Sequence, residues 1–223
     1  MKKINWVLEV KKVILLMVGL TIAHLGVTFF IQADMGADPY NVLVQGVFRT
    51  VPWPESMNWT HGMTHILICL LIVLVLLVVD RSYIGIGTLL CMVFGGPIID
   101  LFTLILAPVI NNTLPTVLRV VVLGAGCVIL AVGMSFVIKS ESGTGPNDLV
   151  ALVIAEKWKK KFGVIRVVTD FLFVAVGFLL GGTFGVGTII CAFLVGVVAQ
   201  FFLPHAEKVC KRVLYGNQAE ENN

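Results

Sequence analysis

The sequence predicts an all-α membrane protein with six transmembrane helices, arranged as two inverted-topology repeats of three helices. Each repeat is predicted to carry a short proline-initiated helix after its first span. Three observations support this fold class: the composition, the number of apolar runs and an internal repeat. Hydrophobic residues make up 58% of the 223 residues and charged residues 13%, with a mean hydropathy of +0.99. Ordinary soluble domains carry about 25% charged residues, so a water-soluble fold is excluded.

The chain contains six apolar runs of roughly the length that crosses a bilayer, which takes about 20 residues. The runs cover residues 13–32, 64–79, 84–107, 116–138, 164–182 and 185–203. They predict a single membrane domain over residues 1–223. Within it, 13–107 form the first repeat, 116–204 the second, and 205–223 a cytoplasmic tail.

The positions of Lys and Arg predict the orientation, because basic residues are retained on the cytoplasmic side. Basic residues cluster before the first span, including Lys2 and Lys3, between 157 and 161, and after Pro204. The loop 33–63, by contrast, has Arg49 as its only Lys or Arg. Both termini are therefore predicted to be cytoplasmic.

The internal repeat is visible at two offsets. An offset of 107 aligns Gly19 with Gly126, Gly26 with Gly133, Gly36 with Gly143, and Pro39 with Pro146. An offset of 100 aligns the Gly-x-Gly-Thr units at 85–88 and 185–188. Each repeat holds three crossings, an odd number, so the second must enter the membrane from the opposite side. Inverted repeats of this kind recur in secondary transporters.

The same polar unit follows spans one and four, at 33–41 and 140–148. Proline suits the first turn of a helix, and Asp38 can cap that turn, so short helices are predicted from Pro39 to about Arg49 and from Pro146. Whether they are re-entrant or interfacial stays open. Two interpretations also stay open: the units form gates or binding sites on a solute pathway, or they are plain capped turns. The candidate residues are Asp34, Asp38, Asn41, Glu141, Asn147 and Asp148.

Ionisable residues within spans are costly, so each is a functional candidate. The intramembrane candidates, including the glutamine that aligns with Asp100, are His24, Asp100, Asp170 and Gln200. For His24, a hydrogen bond to a backbone carbonyl in a packed bundle is the alternative. Arg119 and Arg166 lie near span ends and are given little functional weight, because arginine there can extend to the membrane surface.

No Ser-His-Asp order, HExxH, CxxC or Walker sequence is present, so the chain is not expected to be an enzyme or to bind a cofactor or metal. The Gly-x-Gly-Thr units have no following Lys and begin transmembrane helices. They are interpreted as sites of close helix packing through small residues.

The units at 33–41, 143–148, 85–88 and 185–188 resemble the YczE/YitT-like family of bacterial integral membrane proteins, over about 13–204. The resemblance implies the bacterial cytoplasmic membrane and supplies no substrate. One departure is that 38–41 reads Asp-Pro-Tyr-Asn where related sequences tend to carry Ser-Pro-Trp-Asp. An amide therefore replaces an acid at Asn41, which weakens a cation-binding role for that residue.

The leading hypothesis is a small-solute permease or exporter that works by alternating access. Because acids outnumber bases in the predicted pathway, the solute is expected to be cationic or zwitterionic, or coupled to protons. The acids counted are Asp34, Asp100, Glu141, Asp148 and Asp170. The alternative is a non-transporting membrane scaffold or regulatory partner. The expected partners are the lipid bilayer and the solute, without nucleic acid, and a homo-oligomer is left open.

Overall fold

The computed structural model describes residues 5–111 and 113–216, and within these ranges the chain is helical, without strands. The helices are α1 (Trp6–Ala33), α2 (Pro39–Thr50), α3 (His61–Asp80), α4 (Ile86–Leu106), α5 (Thr116–Lys139), α6 (Pro146–Lys157), α7 (Phe162–Leu179) and α8 (Val186–Tyr215). Six of these, all except α2 and α6, are long and apolar enough to cross a membrane. The six predicted spans are thereby confirmed as candidate spans.

Helices α1 and α5 form the most extensive contact in the bundle, with α4 packed on α1 and α8 on α5. Glycines let the two backbones approach closely. A Cβ added at Gly133 would lie 2.2 Å from the Ala23 nitrogen, and one added at Gly26 would lie 2.6 Å from the Gly126 oxygen. Gly19 likewise faces Gly133. Residue numbers that rise along α1 fall along α5, so the two helices are antiparallel.

The two short helices begin at Pro39 and Pro146, as the sequence predicts. The Asp38 side chain caps α2 by accepting from the Asn41 backbone nitrogen. Both helices pack against α7 and α3 and have a buried face, so they lie within the bundle and not on its surface.

The chain around α2 folds back into the bundle. Helix α1 ends at Ala33, and the left-handed backbone of the next residue, Asp34 (φ 47°), turns the chain. Arg49, near the far end of α2, returns to within 3.5 Å of the Asp34 carboxylate. A helix of 12 residues is about 18 Å long, so α2 begins deep in the bundle and returns toward the place where α1 ends. We call this place the Asp34 end, and the opposite place, which holds Glu141, Phe162 and Tyr215, the Glu141 end.

The last helix differs from the sequence prediction, which ended the sixth span at residue 203 and treated 205–223 as a tail. Helix α8 continues through Pro204 to Tyr215. Its extension is stabilised by an apolar face, since Cys210 and Leu214 are buried in a cluster with Leu15 of α1. Residues 217–223, Lys2 and Lys3 lie outside the described residues.

Candidate functional site

The interior of the bundle contains a cavity of about 890 Å³, which we call the central cavity, and all eight helices contribute to its wall. The cavity reaches the Glu141 end, where Glu141 and the exposed Phe162 lie at its edge. Apolar side chains such as Leu20 and Val27 make up much of the lining. A concave, mostly apolar pocket with a few polar groups is the usual form of a small-molecule site.

Seven of the ten candidate residues from the sequence line the central cavity. They are His24, Asp38, Asn41, Glu141, Asn147, Asp148 and Asp170. Asp34 and Asp100 instead line a smaller cavity of about 440 Å³ at the Asp34 end. Gln200 is exposed and lies on the wall of neither cavity.

Each short helix brings one carboxylate to the central cavity at its N-terminus. Asp38 accepts from the Asn41 side-chain nitrogen at 2.8 Å. Asp148, in the first turn of α6, accepts from Thr144 Oγ1 at 3.3 Å and from Asn147 Nδ2 at 3.0 Å. A carboxylate is favoured at this position because the helix N-terminus carries a partial positive charge. Asn41, which aligns with Asp148, carries no charge, but Asp38 brings a carboxylate to the same end of α2.

Arg166 joins α6 and α7 in the cavity wall. Its Nε donates to Asp170 Oδ2 at 3.1 Å, and its terminal nitrogen donates to Asp148. The sequence interpretation, in which Arg166 extends to the membrane surface, is corrected here. Two carboxylates inside the protein hold the guanidinium by charge-assisted hydrogen bonds, which are stronger than neutral ones.

The wall of the central cavity carries more negative than positive charge. Its carboxylates are Asp38, Glu141, Asp148 and Asp170, and its one guanidinium among the described residues is that of Arg166. Glu141 accepts from the Tyr215 hydroxyl at 2.7 Å and lies 3.7 Å from Lys12 Nζ. Asp38 has no Lys, Arg or His partner within 4.0 Å in residues 5–111 and 113–216.

Two histidines and a tyrosine form an aromatic cluster in the same wall. The ring of His65 lies edge-on to His24 at 5.4 Å and to Tyr40 at 5.3 Å between centroids. His24 Nδ1 donates to the Leu20 carbonyl at 2.9 Å, which is the backbone hydrogen bond considered as the alternative for this residue. The Tyr40 hydroxyl lies 3.1 Å from Cys69 Sγ.

Two atoms in this wall are buried without a hydrogen-bond partner in the described protein: Asn41 Oδ1 and His65 Nδ1. Buried polar atoms are nearly always paired, with protein, water or a ligand. Neither atom has accessible surface, so both lie inside the packed wall and do not face the open space of the cavity.

The Asp34 end is closely packed where α2 meets α7. A Cβ added at Gly46 would lie 2.3 Å from the Gly177 oxygen, so the two backbones touch. Thr183 N donates to Gln45 Oε1 at 2.8 Å, and Arg49 donates to Thr183 Oγ1 at 2.7 Å. These bonds tie the loop after α7 to α2.

Arg119 stabilises the same end. It was interpreted from the sequence as extending to the membrane surface, but it binds backbone carbonyls instead. Its Nε donates to the Ala33 carbonyl at 2.6 Å and a terminal nitrogen donates to the Asp34 carbonyl at 2.8 Å. The guanidinium thus satisfies carbonyls at the C-terminal end of α1, where helices leave acceptors unpaired and favour positive charge.

The Gly-x-Gly-Thr units pack against the polar loops at 33–41 and 140–148, and not between helices as predicted. Gly87 N donates to the Ser142 carbonyl at 2.9 Å, and Gly187 N donates to the Met35 carbonyl at 2.9 Å. Each unit therefore holds the proline-led loop of the other half of the chain. The loops also share their backbone geometry, since Gly36 and Gly143 have φ of +113° and +127°.

Asp100 has hydrogen-bond partners that are distant in the sequence. Its carboxylate accepts from Thr60 Oγ1 at 2.6 Å and from Gly62 N at 2.9 Å. These groups begin α3, so Asp100 caps that helix from α4 and stabilises its N-terminus.

Comparison with known proteins identifies the family. A model described as "Family of unknown function (DUF6198)" matches residues 10–204. The chain belongs to this family. It is 30% identical to "Uncharacterized membrane protein YczE" of Bacillus subtilis, over 84% of this chain and 83% of that protein. It is 28% identical to an uncharacterized protein of Haemophilus influenzae, over 89% of this chain and 86% of that protein. The YczE-like resemblance and the assignment as a membrane protein are thus confirmed. No solved structure matches.

Sequence reasoning missed His65, Tyr40 and Arg166 in the site of this family member. His65 lies inside the second predicted run, 64–79, but is not among the candidates named from the sequence. The general rule that ionisable residues inside spans are functional candidates would have found it. Tyr40 carries no comparable local signal, because its contact to Cys69 depends on the packing of separate helices. Arg166 has a local partner in Asp170, four residues on, but its contact to Asp148 also depends on such packing.

Proposed function

We propose that the protein is a transporter of a small cationic or zwitterionic solute that works by alternating access of two inverted repeats. The observation that carries the proposal is the central cavity. It is walled by the proline-led units of both halves, is rich in carboxylates, and reaches the Glu141 end, while at the Asp34 end α2 packs closely on α7. A solute site with access from one end is the arrangement that alternating access requires.

The proposed inverted repeat is supported by contacts that occur twice. Gly87 and Ser142 in one pair correspond to Gly187 and Met35 in the other at the offsets of the sequence repeat. The antiparallel packing of α1 on α5 agrees with two halves inserted in opposite directions. Two such halves have two equivalent packings, which supply the two states of a transporter.

The proposed topology assigns the Glu141 end to the cytoplasm, because Lys and Arg concentrate in the segments 139–163 and 205–216. The conformation is then open to the inside. A reporter fused after Tyr215 is expected to behave as cytoplasmic. A cysteine introduced at Asn112, which lies outside the described residues, is expected to react with an impermeant thiol reagent from outside intact cells. The reverse pattern would falsify this topology.

The solute class follows from charge. With four carboxylates and one guanidinium in the wall, a cation is attracted to the cavity and an anion is repelled. The Asp148–Arg166–Asp170 group adds a set of ion pairs that a charged solute or a proton can rearrange. Differential contacts of the solute with the two states then decide which state is favoured.

Flux into proteoliposomes tests the proposal directly. The purified full chain is reconstituted, and uptake of a panel of radiolabelled organic cations, amino acids, sugars and organic anions is measured against empty liposomes. Saturable uptake of a cationic or zwitterionic member supports the proposal. Absence of flux for every class, combined with loss of cellular function when the basic stretch 157–161 is neutralised, would favour the scaffold or regulatory alternative instead.

A further inference from the structure

We infer that the central cavity opens sideways into the bilayer between α7 and α8, and that its ligand is an amphiphilic cation. The head group of this ligand lies in the cavity, and its hydrocarbon chain extends through the lateral opening. The inference deepens the proposed function, since it rests on that function for the claim that the bound cation is also transported. The opening and the binding depend only on the packing of α7 and α8 and on the charge of the wall.

The two halves of the chain differ in how their last two helices pack. In the first half, α3 lies directly against α4. A Cβ added at Gly96 would lie 2.3 Å from the Gly62 oxygen and 2.7 Å from Ile66 Cγ1, so the two helices touch. In the second half, α7 packs on α2 and α6, but within the described residues it makes no comparable contact with α8. A Cβ added at Gly196, which the offset of 100 places at the position of Gly96, meets nothing within 4 Å.

The sequence of α7 explains this separation. The offset of 100 places Phe162 at the position of Gly62 and Arg166 at that of Ile66. Glycine lets two helices meet closely, whereas a phenylalanine side chain holds them apart. The guanidinium of Arg166 binds two carboxylates inside the bundle, and packing such a group against an apolar helix without them would cost free energy. The face of α7 that corresponds to the packed face of α3 therefore stays beside the cavity.

The space between α7 and α8 belongs to the central cavity. Helix α8 contributes one face, with residues three or four positions apart, to the cavity wall: Ala192, Val195, Gly196 and Ala199. From α7, Val167 lines the cavity and yet is 69% exposed, so it lies where the cavity meets the outside. Both helices are candidate membrane spans, and they carry exposed apolar side chains such as Phe171 and Phe193. The medium outside the opening is therefore lipid.

The opening lies toward the Glu141 end. Helix α7 begins there at Phe162, and Val167 is only about 8 Å further along the helix. Helix α8 begins at the Asp34 end with Val186, and Ala199 lies about 20 Å from that start. In the proposed topology this part of the bilayer is its cytoplasmic half.

The chemistry of the wall and of the opening selects the ligand. Asp148, Arg166 and Asp170 together carry one net negative charge when ionised, and their side chains are 18%, 29% and 28% exposed, so a ligand in the cavity can reach them. This charge attracts a cation and repels an anion. Apolar residues on both sides of the opening, Val167 and Val195, suit a hydrocarbon chain, whose burial is favourable in proportion to its length. A small hydrophilic cation uses only the charge, whereas an amphiphilic cation uses both features.

Thermal stabilisation of the full chain in lipid nanodiscs tests the ligand class. The probes are n-decylamine and n-butylamine, which share an ammonium head group, and decanesulfonate, which joins the long chain to a negative charge. We expect n-decylamine to raise Tm in a saturable way at a concentration at least about tenfold lower than n-butylamine, and decanesulfonate to leave Tm unchanged. Equal potency of the two amines, equal stabilisation by decanesulfonate, or no stabilisation by n-decylamine would each overturn the inference.

Gly196→Phe tests the opening itself. A Cβ at this position meets no atom within 4 Å, so the fold is expected to be retained while the ring fills the gap. We expect n-decylamine to lose at least about tenfold in potency and so to lose its advantage over n-butylamine. Gly124→Phe is the matched control, because it makes the same change in α5 at a glycine that also has open space and lines neither cavity. It should bind as the parent chain does. Equal potency of n-decylamine on the parent chain and on Gly196→Phe would contradict the opening.

A second copy of the chain is the other candidate to cover this opening. A single Val167→Cys in a chain without the five native cysteines separates the two cases. We expect it to react with a maleimide dissolved in the bilayer and to form no disulfide-linked dimer when oxidised in native membranes. Efficient dimer formation that excludes the maleimide would overturn the inference.

Failure of the inference and failure of the proposed function give different results. Saturable flux of a hydrophilic cation that Gly196→Phe leaves unchanged keeps the transporter and removes the lateral opening. Binding of n-decylamine that Gly196→Phe abolishes, without flux of any solute, keeps the opening and removes the transporter.

Discussion

At the Asp34 end, α2 packs backbone to backbone on α7 through Gly46 and Gly177, whereas at the Glu141 end the corresponding contact of α6 with α3 is smaller and the central cavity lies beside it. The offsets of the repeat place Val153 opposite Gly46 and Leu77 opposite Gly177. Glycine allows the closest approach of two helices, and larger side chains hold helices apart. The difference between the two ends thus has a cause in the sequence: glycines meet between α2 and α7, whereas Val153 of α6 lies in an apolar cluster with Leu76 of α3.

The largest expected effect comes from enlarging the close contact. Gly177→Ala would place a Cβ 2.5 Å from the Leu43 nitrogen, so the helices must separate. We expect it to destabilise the protein by about 1–3 kcal/mol, as overpacking does. Gly163→Ala, on the same helix at the other end, meets nothing within 4 Å and is expected to be neutral or stabilising by up to about 1 kcal/mol. Thermal unfolding of the two variants in detergent makes the comparison. Equal effects would contradict a tight contact at Gly177.

The next effect concerns the ion pairs on the open side. Asp170→Asn keeps an oxygen to accept from Arg166 Nε but removes one of its two counter-charges. We expect the fold to be retained and solute flux to fall at least about tenfold, because charge-assisted hydrogen bonds contribute about 1.5–3 kcal/mol. Flux in proteoliposomes and Tm are measured together. Glu207→Gln provides the control, since Glu207 pairs with Lys139 and Lys211 away from the cavity wall. Flux that is unchanged in Asp170→Asn would remove this residue from the pathway.

The third prediction tests whether the two ends exchange roles. Single cysteines at Ala37 and Thr144 are placed in a chain from which the five native cysteines have been removed. Ala37 is 1% exposed, whereas Thr144 lines the central cavity, so Thr144→Cys is expected to react faster with a thiol reagent. Added solute should change the two rates in opposite directions, because one loop becomes accessible as the other closes. Parallel changes with a solute proven to bind would leave the two loops as capped turns.

The elements around these loops were predictable because their signals are local. A proline preceded by a capping acid predicts a helix start, and α2 does begin at Pro39 with Asp38 as its cap. The apolar runs predicted the six spans in the same way. The end of α8 was not predictable, because residues after Pro204 are held in a helix by distant contacts with Leu15.

Part of the site was also predictable from local sequence signals. Rarity of ionisable residues inside spans led to His24 and Asp170, and the duplicated motif led to Asp38 and Asp148, all in the cavity wall. The role of Arg166 was not predictable, because nothing near it in the sequence places a second carboxylate beside it. Its partner Asp148 is 18 residues away and reaches it only through the packing of α6 on α7.

The smallest expected effect is at the exposed ion pair of Asp34 and Arg49, whose side chains are 45% and 42% exposed and 3.5 Å apart. Pairs this exposed contribute about 0–1 kcal/mol, so Asp34→Asn is expected to leave Tm nearly unchanged. The pair joins the end of α1 to α2 at the Asp34 end. Its free energy therefore also favours the conformation in which that end is closed over the one in which it is open. We expect up to about fivefold faster labelling of Ala37→Cys in this background, with slower labelling of Thr144→Cys. Glu55→Gln, which removes an equal charge elsewhere on the surface, should change neither rate. If Asp34→Asn alters Tm strongly and leaves labelling unchanged, the pair stabilises the fold and takes no part in closing the Asp34 end.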